Sequence, residues 1–77
     1  MDERFRSVIE AVLGIDGRTL KDDDSARTIP QWDSVAHLQL LLALESEFGV
    51  QFSPEEMASL NTIGRIKERL KAMAVNG

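Results

Sequence analysis

The chain contains no cysteine and a single histidine. Without cysteine it can build neither a disulfide framework nor a Cys-based metal site, and one histidine removes most zinc sites and catalytic dyads. Basic charge is also scarce. The net charge is −4, and phosphate neutralisation needs clustered Lys and Arg, so nucleic acid is not an expected partner. No apolar run approaches membrane-spanning length. The opening Met1-Asp2-Glu3 is acidic and polar, unlike a secretory leader, so a cytoplasmic protein without membrane contact is expected. With 77 residues, 43% of them apolar and 29% charged, residues 1–77 read as one small soluble domain acting as a monomer. A core of that size leaves on the order of a few kcal/mol of net stability, so a deep, water-excluding catalytic cleft is hard to build.

What is present is unevenly distributed. From Asp22 to Glu56 there are eight acids against Arg27 alone, whereas Arg65 to Lys71 carries four bases against Glu68. The middle of the chain should attract basic surfaces.

Helical periodicity dominates. From Asp2 to Leu13, one stripe collects Phe5, Val8, Ile9, Val12 and Leu13, with Asp2 and Glu3 at the positive end of the dipole and Gly14 as a stop. Residues 14–33 show no sustained period and contain Gly14, Gly17, the run 22-DDDS-25 and Pro30. They read as a long loop beside which mobility is expected, with Ile15, Leu20 and Ile29 tucked onto the core. Loops of that length in small domains tend to be functional. The acidic run lacks the spacing of a calcium loop and reads as solvated. A second helix should run from about Ser34 to Phe48, ended by Gly49. The motif 53-SPEE-56 is a capping box with proline at the first helical position, opening a short helix that ends near Leu60. Asn61 or Thr62 then caps a last helix with the stripe Ile63, Ile66, Leu70 and Met73. Gly64 inside it is a mild cost, and Met57 and Met73 read as core filler. With no strand-like alternation, the expected fold is all-α: a small four-helix bundle, three longer helices and one short, with a long loop between the first and second.

At roughly 100° per residue, the second helix carries two adjoining apolar arcs. Leu40, Leu41, Leu44 and Phe48 form one; Val35, Leu38 and Leu42 form the other, with Glu45 between. An arc this wide suits either a central, buried helix or one that offers its second patch to a partner, flanked by Asp33, Glu45 and Glu56.

The pair Asp33–Ser34 opens that helix. Both residues are good N-caps, and capping alone is the plain explanation. A serine at a helix N-terminus is also open to modification by another enzyme, since backbone N–H groups and the dipole would stabilise a phosphate ester there. A nucleophilic serine helped by His37 is the third option. His37 falls by angle on the core arc, pointing away from a surface serine, and no oxyanion donor set or third group is evident. It reads as a packed, hydrogen-bonded residue. Trp32 reads as a large side chain pinning the loop's end to the bundle.

Taken together, Asp33-Ser34-Val35 followed by Leu38, Leu41, Leu42, 44-LESEFGV-50 and 54-PEE-56, after a first amphipathic helix and a long loop, resembles the acyl carrier protein family from about Phe5 to Leu70. The resemblance implies that Ser34 carries 4′-phosphopantetheine, transferred from coenzyme A by a phosphopantetheinyl transferase, and that Asp33 is the adjacent recognition acid. It implies a carrier rather than an enzyme, whose arm presents acyl thioesters to loading ligases or synthases of a fatty-acid, polyketide or related pathway. Val35, Leu38, Leu42, Glu45 and Glu56 match positions that meet partner enzymes. Leu44, Phe48, Leu60 and Ile66 match an acyl-sheltering interior. Pro30-Gln31-Trp32 stands where primary fatty-acid carriers place glycine, Val35 replaces their commoner leucine, and Ala36 and Gln39 replace further acids. In this the chain looks more like discrete carriers of specialised pathways. The alternative is an unmodified helical adaptor that binds a basic partner through its acidic and apolar second helix.

Overall fold

Residues 2–75 are described by a computed structural model, with side chains from residue 3 to 73. Four helices follow in order: α1 (Asp2–Leu13), α2 (Ser34–Phe48), α3 (Pro54–Ser59) and α4 (Ile63–Val75), with one turn of 3₁₀ helix at Gly17–Thr19 and no strand among the described residues. Phe5, Ile9 and Leu13 of α1 are buried against Leu40, Leu41 and Leu44 of α2 and Ile63, Ile66 and Leu70 of α4. Val8, Val12, Phe48, Met57 and Met73 close the margins of this cluster. Removing apolar surface from water is what holds so small a bundle together.

α2 runs through the middle and satisfies both readings of its wide apolar arc. Leu40, Leu41 and Leu44 are fully buried, while Val35, Leu38 and Leu42 are 66%, 50% and 49% exposed. It ends where Gly49 turns left-handed (φ 66°, ψ 38°) and its N–H returns to the Glu45 carbonyl, a conformation with little steric cost only for glycine. Arg4 on α1 reaches the C-terminal end of α2. Its Nε donates to Glu47 Oε2 at 2.9 Å, and its guanidinium lies over the Phe48 ring at 4.8 Å.

The segment joining α1 to α2 is tied to the helices by hydrogen bonds. Gly17 N–H donates to Glu10 Oε2 at 2.7 Å, and a side chain at Gly17 would run into Arg6 and Glu10. Asp16 caps the 3₁₀ turn by accepting the Arg18 N–H; its hydrogen bonds from Arg18, side chain first, hold its carboxyl below the ordinary range. In the run 22-DDDS-25, Asp22 and Asp23 are exposed, as a solvated loop should be, while Asp24 is half-buried. Asp24 accepts from Lys21 N and Thr28 Oγ1 at 2.8 Å each, and Asp22 pairs with Lys67 at 2.7 Å. Ile29 is buried, and Ile15 and Leu20 pack against the core.

The same segment closes the start of α4. The Asp24 and Asp22 carbonyls accept the Ile63 and Gly64 N–H groups at 3.0 and 2.8 Å. Thr62, rather than Asn61, supplies the side-chain cap, its Oγ1 accepting the Arg65 N–H at 3.1 Å. Two helix-terminal amides are thus satisfied by loop carbonyls. Gly64 is more than a tolerated flaw, because a Cβ there would lie 3.0 Å from the Asp22 carbonyl oxygen.

Candidate functional site

At the mouth of α2, capping is divided unequally. Asp33 is extended, and its Oδ1 accepts the Ala36 N–H at 2.8 Å while its carbonyl accepts the His37 N–H at 2.8 Å. Ser34 is the first helical residue, exposed, and not the cap. The Ser34 and Val35 amides, at the positive end of the dipole, have no intrahelical acceptor by the geometry of a helix start.

Ser34 lines one wall of an open groove of about 360 Å³ that also touches Trp32, His37, Ala58 and Asn61. Thus α2, the end of the loop and α3 meet beside one hydroxyl. His37 is half-buried in this groove rather than on the core arc, because residues three apart share a helix face. Trp32, 3% exposed, tucks in beside it. The indole Nε1–H donates to His37 Nδ1 at 2.9 Å, and His37 Nε2 lies 2.7 Å from the Met57 carbonyl oxygen. An indole can only donate, and a carbonyl can only accept, so the partners set a neutral imidazole protonated on Nε2. Both ring nitrogens are engaged, leaving neither to activate Ser34.

Of the residues expected to face partners, Val35, Leu38 and Leu42 stand exposed along α2, and Glu45 shares a shallow depression with Leu42. The two glutamates have internal work. Glu45 Oε2 accepts the Phe52 N–H at 2.7 Å, fixing the α2–α3 turn. Glu56 closes the capping box with Ser53 and accepts from Arg69 Nη2 at 2.7 Å. The residues expected to line an acyl shelter, Leu44, Phe48, Leu60 and Ile66, belong to the packed interior, where Leu44 and Ile66 have no exposed surface and only Phe48 is half-open. The sequence reading missed the Trp32–His37–Met57 chain. The helical angle set His37 on the core arc, away from Ser34, and nothing local marked the Met57 carbonyl as a partner.

Residues 3–70 match the family model described as the phosphopantetheine attachment site. The chain belongs to the acyl carrier protein family. It is 30% identical over 70 residues to the acyl carrier protein of Clostridium acetobutylicum, covering 91% of each chain. Acyl carrier proteins are carriers rather than enzymes, and their cofactor is 4′-phosphopantetheine. The mouth of α2 suits such a group: an exposed hydroxyl, two amides at the helix start for a phosphodiester, and an adjoining mostly apolar groove for the arm. No helix among the described residues is long and apolar enough to cross a membrane.

Proposed function

We propose that Ser34 is the attachment point of 4′-phosphopantetheine, and that this carrier holds an acyl group as a thioester and hands it between enzymes. The observation that carries the proposal is the division of labour at α2: Asp33 does the capping, so the exposed Ser34 hydroxyl is not needed to start the helix. When bound, the group supplies the thiol that a cysteine-free chain lacks. Ser34 anchors it, the helix-start amides face its phosphate, and Asp33 marks the site for the transferase that draws on coenzyme A.

Val35, Leu38 and Leu42 form the docking stripe for the transferase and for the loading ligase or synthase. Asp33, exposed beside Ser34, is the acid best placed to steer basic partner surfaces at the site. Trp32 and His37 at the site favour a discrete carrier of a specialised pathway. The test is transfer from coenzyme A to the wild-type and Ser34→Ala chains. An adaptor bound through the same stripe would take up nothing and would bind its partner equally well in both.

A further inference from the structure

Beside the groove at Ser34, one hydrogen-bonded chain of groups runs from the loop through α2 to α3. Trp32 comes from the end of the loop, His37 from α2 and the Met57 carbonyl from α3. Each end of this chain has a need that His37 meets. The Trp32 indole is nearly buried, and its N–H requires an acceptor. Met57 lies in the last turn of the short α3, where carbonyls lack intrahelical donors. A neutral imidazole accepts from the first and donates to the second, so it ties three segments together across the seam between α2 and α3. Behind that seam the core offers no ready space: Leu40, Leu41, Leu44 and Ile66 have no exposed surface.

We propose that the Trp32–His37–Met57 bridge is a latch that bars acyl cargo from the interior and confines it to the groove walled by Trp32, His37, Ala58 and Asn61. The proposal rests on Ser34 being the attachment point. An acyl chain entering between α2 and α3 must break two hydrogen bonds, leaving a buried indole N–H and a helix-end carbonyl unpaired. The groove is open, and Asn61 is part of its lining. It takes the arm and a short acyl group; a long alkyl chain finds neither depth nor entry.

The experiment compares acetyl and octanoyl forms of the loaded carrier, with intact mass establishing first that the arm and the acyl group are on Ser34. In the wild type, the two forms should melt at the same temperature, and backbone amide shifts between them should stay within the groove residues. In His37→Ala, the octanoyl form should melt several degrees above the acetyl form, as a ligand that binds only the folded state requires. Its amide shifts should reach Leu44 and Ile66. Trp32→Phe keeps the ring and removes the donor, and should move in the same direction; it decides the matter if His37→Ala does not fold. A wild-type octanoyl form that is already stabilised, with shifted core amides, would overturn the latch. So would variants that gain nothing from the longer chain. Failure to take up the arm at Ser34 would be seen at the mass stage, and would overturn the attachment reading and the latch with it.

Discussion

The Asp33 carboxylate accepts the Ala36 N–H at 2.8 Å, while its neighbour Ser34 stands exposed one position along. The two residues can therefore be separated by mutation. Asp33→Ala removes the cap and should cost about 1 kcal/mol of stability. Ser34→Ala should change stability by less than about 0.5 kcal/mol, as expected for a surface site without such a role, yet abolish modification. Urea titration of both variants checks the contrast.

Glu45 has an internal partner, the amide of the buried Phe52. Glu45→Ala should leave that donor unpaired and cost about 1–3 kcal/mol. Glu45→Gln keeps an acceptor oxygen and should cost much less. If Glu45 also steers partners, the glutamine variant should fold normally but associate more slowly with the transferase, with a weaker dependence on salt.

Gly64→Ala should destabilise the protein, although alanine is the better helix former by about 1 kcal/mol. The added Cβ would meet the Asp22 carbonyl at 3.0 Å, and that carbonyl is held by its own bond from the Gly64 amide. Crowding of this kind typically costs about 1–3 kcal/mol, so a net loss of about 1 kcal/mol is expected in chemical denaturation. A stabilised variant would mean that the segment around Asp22 yields easily.

Leu42 and Leu44 stand on opposite sides of α2. Leu44→Ala empties a buried position and should cost about 2–5 kcal/mol. Leu42→Ala and Leu38→Ala should leave the melting transition nearly unchanged while lowering the transferase's kcat/KM on the order of 10-fold, as loss of a docking anchor does. Equal rates for the exposed variants would remove the stripe from the docking surface.

The helices were legible because their signals are local: the Phe5–Leu13 stripe, the Ser53–Glu56 box and Gly49 each act within a turn or two. The bonding of residues 14–33 was only partly legible, because some of what fixes it lies far along the chain. The Asp22 carbonyl meets the Gly64 amide, and Asp22 meets Lys67. A composition rich in Asp, Gly and Pro reads as loose when such partners are out of view. The same holds at the site. The angle gathered Val35, Leu38 and Leu42 into one arc but left open whether it was buried, and the Glu45–Phe52 and Glu56–Arg69 bonds depended on where α3 and α4 fall. That His37 is hydrogen-bonded was legible, but its two partners come from two other segments.

The most direct measurement is the intact mass of the unmodified, folded chain before and after incubation with coenzyme A and a broad-specificity phosphopantetheinyl transferase, followed by fragmentation. Attachment at Ser34 predicts a gain of one phosphopantetheine, found on the fragment containing Ser34 and absent from Ser34→Ala. No gain, or a gain on another hydroxyl, would contradict it, and Ser34 would then be only the first residue of α2.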